Sequence, residues 1–136
     1  MRKRIIKIFI AILLVILGIA FLYSPGTEDV KSWEEWANNC DKYGLIEGYS
    51  HNKADYPPLT SVILYVSGQI SKPFDLNKFQ YIKLSIFFFL LISSFVFWLY
   101  TRSFLFTAIL YISLFMNSVM LAYTDIYFAP SVTSYL

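Results

Sequence analysis

Asp29 and Asp125 are the residues of this chain best placed to do chemistry. Each stands just past a long apolar run, Asp29 six residues beyond Tyr23 and Asp125 directly after Thr124. A carboxylate at the water boundary of an apolar helix can take a proton from a hydroxyl, as a general base does, and an acid at the mouth of a helix bundle is a functional candidate by default. A helix rises about 1.5 Å per residue, so both carboxylates are expected near one surface, and neighbouring helices would bring them to one cleft. Tyr49, Tyr56 and the tryptophans have apolar bodies and polar tips that suit sugar rings. Lys31 or Lys53 could counter a phosphate charge. Both acids also have plain structural readings. Asp29 suits the first turn of a helix, where it stabilises the dipole, and Asp125 suits a helix that simply ends at water.

Other chemistries find little support. Cys40 and His51 are the single cysteine and the single histidine, so an internal disulfide and a histidine metal cluster are excluded; both read as ordinary residues. No phosphate-loop, dinucleotide-binding, paired-cysteine or HExxH pattern occurs. A net charge of +2, unevenly distributed, does not suggest nucleic acid. No cofactor is certain from the sequence. Two acids could hold a divalent metal or bind hydroxyls alone.

The elements that must position these acids are membrane elements. The chain has 136 residues, 57% hydrophobic and 15% charged, with 13 Phe and 11 Tyr, whereas soluble domains carry about 25% charged residues. A soluble core of this size could not hide that surface, so the implied solvent is a bilayer. Uncharged runs predict three spans, over 5–23, 84–100 and 103–124, the first only if Lys7 snorkels toward the headgroups. Arg2, Lys3, Arg4 and Lys7 crowd the start, and Arg102 sits in the short turn between the last two runs. The positive-inside rule places both in the cytoplasm and leaves every acidic residue outside. The first run also resembles a secretory signal peptide, but its end at Ile19–Tyr23 is bulky where cleavage wants small residues; an uncleaved helix is the better reading.

The outer loop, 24–83, reads as two amphipathic interfacial helices, near 29–43 and 58–70. Val30, Trp33, Trp36, Ala37, Cys40 and Tyr43 form a helical apolar stripe. Thr27 suits an N-cap and Gly44 a C-terminal stop. The stretch from Ile46 to Tyr56 reads as irregular. Pro57-Pro58 opens the second helix, whose stripe is Leu59, Val62, Ile63, Val66 and Ile70. Too short to span, it is expected to lie on the membrane. The expected fold is therefore an all-α membrane protein in a single domain, with residues 125–136 starting a further outer element.

These features resemble, in order, the N-terminal part of the GT-C glycosyltransferases, multi-spanning enzymes that use polyprenyl-phosphate sugars. A basic start and one span precede Glu28-Asp29. The Trp-containing helix Val30–Gly44 follows. Asp55-Tyr56-Pro57-Pro58-Leu59 resembles an element of the glucosyltransferases that extend lipid-linked oligosaccharides, and of prokaryotic mannosyltransferase-like membrane proteins. Asn117 and Tyr123-Thr124-Asp125-Ile126 resemble the second outer acidic site. The resemblance covers nearly the whole chain, with Asp55–Leu59 its most specific motif. It implies inverting transfer of a hexose from a polyprenyl-phosphate donor to a hydroxyl of a glycan, lipid or protein. Asp29 would be the general base, and Asp125 would position donor or acceptor or support the first carboxylate. Glu28, Trp33, Tyr56, Pro57, Pro58 and Tyr123 would bind substrate or shape the loop. No residue is implied as a metal ligand. The implied location is a prokaryotic cytoplasmic membrane, or the endoplasmic reticulum in a eukaryote. Family members are much longer, so the chain reads as a truncated, split or partial enzyme.

Two other functions fit the residues. A small three-span protein could scaffold or bind a partner through its outer helices. A transporter subunit could use the two acids for ions, but no charge lies deep in the second or third run, where an ion path would want one.

Overall fold

The computed structural model describes residues 2–52, 56–120 and 122–129. Lys53, Asp55 and the segment from 130 onward lie outside the described residues. Among the described residues the chain is all-helical. Six α-helices follow in order: α1 (Arg2–Ala20), α2 (Asp29–Tyr43), α3 (Leu45–Asn52), α4 (Pro58–Ser71), α5 (Lys78–Thr101) and α6 (Phe104–Asn117). Two 3-10 turns, Lys72–Phe74 and Thr124–Phe128, complete it.

The helix α5 has 24 residues and is long and apolar enough to cross a membrane. At about 1.5 Å per residue its length is about 36 Å. It starts earlier than the 84–100 run because Asn77 and Gln80 form a reciprocal capping box. The Gln80 amide donates to Asn77 Oδ1 at 2.9 Å, and the Asn77 amide donates to Gln80 Oε1 at 3.0 Å, satisfying two otherwise orphaned donors. It ends where Arg102 takes a left-handed conformation, φ +50°, and its amide donates to the Trp98 carbonyl at 2.8 Å.

The third apolar run, 103–124, does not form one continuous helix. The helix α6 stops at Asn117 after 14 residues, about 21 Å by the same rise. A turn follows, in which Ala122 has φ +58°, and then the 3-10 turn Thr124–Phe128. Groups from elsewhere take the carbonyls freed by this break. Ser24 Oγ donates to the Met120 carbonyl at 3.3 Å, and Lys83 Nζ donates to the Val119 carbonyl.

The helices α1 and α6 run parallel. Lys7 lies over the Phe104 ring at one end, 6.0 Å from its centre, while Ser24 bonds Met120 at the other. The basic start of the chain and the α5–α6 turn therefore share one end of the bundle. Between these ends Gly18 lets α1 pack closely against side chains of α5 and α6. A Cβ there would collide with the Phe87 ring and lie 2.6 Å from the Tyr111 hydroxyl, which itself donates to the Leu14 carbonyl at 2.8 Å. Most other α1 side chains, including Ile5, Phe9, Ile12 and Ile16, are exposed. A helix apolar all round is stable with such exposure only against other apolar matter.

The 24–83 segment holds three helices, not two. The helix α3 occupies the stretch expected to be irregular. Gly44, at φ +80°, reverses the chain between α2 and α3, a backbone shape that favours glycine. Gly48 then lets α3 cross α2 closely, since a Cβ there would lie 2.5 Å from Cys40 Cα. Tyr43 stacks on His51 at 4.3 Å, and Asn39 Nδ2 donates to Asn52 Oδ1 at 2.9 Å. The stripe of α2 packs inward: Val30, Trp33, Ala37 and Cys40 are buried, whereas Tyr43 is exposed. The core that receives it is built from Ile63 and Leu64 of α4, Ile82, Ile86 and Leu90 of α5, Phe115 of α6 and Ile126 of the last turn.

Candidate functional site

Tyr56 precedes the two prolines that start α4. Pro57 is extended, at φ −57° and ψ 152°, and Pro58 is the first residue of α4. The two rings are exposed and set the direction of the chain, which turns the Tyr56 side chain back over α2. Its ring packs edge-on to Trp33 at 5.1 Å and to Trp36 at 5.7 Å, and the two indoles meet at 4.9 Å. The Tyr56 carbonyl accepts from the Tyr49 hydroxyl at 3.3 Å. Trp33 is 3% exposed, and its indole N–H is buried without a partner among the described residues.

The Tyr56 hydroxyl reaches the acids. The Asp125 carboxylate stands beside it, and the charges of Asp29 and Tyr123 also act on it. Burial, then the neighbouring Asp125 carboxylate, push the hydroxyl up from about 10 to about 12. Its proton is held tightly at neutral pH. Tyr56, Asp29, Asp125 and Tyr123 thus form one electrostatic neighbourhood, drawn from the start of α2, the segment before α4 and the turn after α6.

The two carboxylates differ in their neighbours. Both are exposed. Asp125 stands beside the Tyr56 hydroxyl. Asp29 receives a 3.4 Å hydrogen bond from the Thr27 hydroxyl, so Thr27 serves Asp29 where an N-cap was expected, and Glu28 is the residue preceding α2. Asp29 is the first residue of α2, where the helix dipole favours its negative charge. Glu28 and Lys31 are also exposed there. Among the described residues no three His, Cys, Asp or Glu side chains gather as a metal site would require. The acids lie outside the two principal cavities, which are lined by α4, the following turn and α5, with Asp41 of α2 on the second.

A residue that sequence reasoning passed over supports this arrangement. Lys83, expected to close the outer loop, is fully buried inside α5. Its ammonium donates to Ser24 Oγ at 2.8 Å and to the Val119 carbonyl, and lies 5.7 Å from the centre of the Phe79 ring. A cation suits carbonyls freed at a helix C-terminus. Its place in the apolar stripe Phe79, Ile82, Lys83, Ile86, Phe87, Leu90 was the available signal. Beside it, Tyr127 shares a 2.7 Å hydrogen bond with Ser85 and packs on Phe89 at 5.0 Å, which anchors the turn carrying Asp125.

The chain matches no known protein family, no characterised protein and no solved structure.

Proposed function

We propose that the chain carries the acidic outer-face site of an integral-membrane glycosyltransferase. A hexose passes from a polyprenyl-phosphate carrier to an acceptor hydroxyl, with inversion. In this reading α1, α5 and α6 traverse the bilayer, and the basic start and Arg102 face the cytoplasm. Asp29 accepts the proton of the acceptor hydroxyl. The freed oxygen attacks the anomeric carbon, the bond from that carbon to the phosphate oxygen breaks, and the lipid phosphate leaves with the electron pair. Asp125, beside Tyr56, positions the sugar, and Trp36 and Tyr123 provide aromatic surface near it, with the buried Trp33 packed against Trp36. Glu28 adds charge at the rim.

The observation that carries the reading is the position of Asp125 and Asp29 around the Tyr56 hydroxyl. Three groups far apart in sequence share one electrostatic neighbourhood, and both carboxylates are exposed there. The test is transfer from a polyprenyl-phosphate hexose in membranes containing the protein, comparing the wild type with Asp29→Asn.

A second reading, a non-catalytic binding or scaffold subunit, is favoured by one observation. The acids stand on an open surface beside aromatic rings that pack on one another. A scaffold tolerates Asp29→Asn, whereas the enzyme loses turnover.

A further inference from the structure

The helix α4 and the first half of α5 form a hairpin around the turn Lys72–Phe74, and a groove of about 680 Å³ lies along it. Its walls are apolar: Val66, Ile70, Phe74, Leu84 and Phe88 are all exposed there. Beside it lies a second cavity of about 500 Å³ with a different character, lined by Asp41, Lys72, Asp75, Asn77 and Lys78. Ser71, Leu76 and Tyr81 line both, so the apolar groove opens directly into the polar pocket.

The pocket carries two cations and two anions, held without direct pairing of Lys72 and Asp41. Lys72 Nζ donates to Gln69 Oε1 at 2.7 Å, and Gln69 Nε2 donates to Asp41 Oδ1 at 3.5 Å. The glutamine keeps the two charges apart. At the junction stands Tyr81, 5% exposed, with a buried hydroxyl that has no partner among the described residues. An unpaired buried hydroxyl costs free energy unless something fills its valence.

We propose that this paired cavity binds one membrane phospholipid with a zwitterionic ethanolamine headgroup. An acyl chain lies in the groove between α4 and α5. The phosphate sits between Lys72 and Lys78 and accepts from the Tyr81 hydroxyl. The primary ammonium donates to Asp41 and Asp75. The balance of two positive and two negative groups selects this headgroup over an anionic one, and the carboxylate acceptors select a primary ammonium over a quaternary one. The proposal is independent of whether Asp29 acts as a base.

The experiment is native mass spectrometry of the full chain released from nanodiscs. These contain equal parts of phosphatidylethanolamine, phosphatidylglycerol and phosphatidylcholine. The expected result is one retained phosphatidylethanolamine per chain, favoured about tenfold over either competitor. Tyr81→Phe lowers retention about fivefold by removing one hydrogen bond. It leaves helicity and the melting temperature in place, because the hydroxyl has no hydrogen-bond partner among the described residues. Val66→Trp, which fills the groove, abolishes retention. Equal retention of the three lipids, or retention unchanged by both variants, overturns the proposal and marks ordinary boundary lipid. A lipid-free dimer whose contact Val66→Trp breaks also overturns it, and assigns the groove to a second copy of the chain.

Discussion

The Asp125 carboxylate stands beside the Tyr56 hydroxyl, which brings the turn after α6 to the residue before α4. The folded protein raises this hydroxyl from about 10 to about 12, so folding favours its protonated form. That contribution is complete below pH 10 and is lost as pH rises through 12. The melting temperature of Tyr56→Phe should therefore lie below that of the wild type at pH 8, and the gap should close between pH 10 and 12. A gap independent of pH would show that the hydroxyl does not carry the effect.

Asp29→Asn removes the proposed general base, and a general base contributes about 10²–10⁴ in rate. Transfer from a polyprenyl-phosphate hexose should fall at least about a hundredfold, with the melting temperature unchanged. Turnover equal to the wild type would favour the scaffold reading.

Asp125→Asn takes away the negative charge that acts on Tyr56 while keeping a side-chain oxygen beside it. Burial, the largest cause of its raised value, remains. Tyrosinate absorbance should then show one tyrosine titrating earlier than in the wild type. The same variant should weaken transfer less than Asp29→Asn, through KM more than kcat.

Lys83→Met keeps the apolar stem and deletes the ammonium. The Val119 carbonyl and the Ser24 hydroxyl then lose a donor inside the protein. Thermal unfolding should report a loss of about 1–3 kcal/mol. Lys42→Met, at an exposed site on α2, should stay within about 0.5 kcal/mol of the wild type.

Gly48→Ala places a methyl group 2.5 Å from Cys40 Cα, so α3 must move off α2. Overpacking of this kind costs about 1–3 kcal/mol. Amide exchange should accelerate across 45–52 before it changes in α5.

Periodicity and apolar runs are local properties, and they point to elements that local forces define. The stripe through Trp33 and Cys40 marks the inner face of α2, and the charge-free run after Lys83 marks α5. Two elements depend on distant partners and leave no such trace. Leu45–Asn52 has weak apolar contrast, and its helix rests on the fit of Gly48 against Cys40. The 103–124 run is apolar almost throughout, and nothing in its composition says where a helix should stop. That break is stabilised by Ser24 and Lys83, donors far away in the chain. The candidate site divides in the same way. Asp29 and Asp125 stand out by position after apolar runs, and Tyr56 by its neighbouring prolines. The approach of Asp125 to the Tyr56 hydroxyl is a tertiary relationship that no spacing encodes.

The place of Lys83 also bears on geometry elsewhere. Its ammonium holds Ser24, a few residues before Asp29, and Val119, a few residues before Asp125. The two carboxylates sit on strands of chain that leave the bundle separately, yet both departures are pinned to one nitrogen atom. Lys83 thereby works as a spacer gauge: it touches neither acid, but a shift of its side chain would widen or narrow the gap between them.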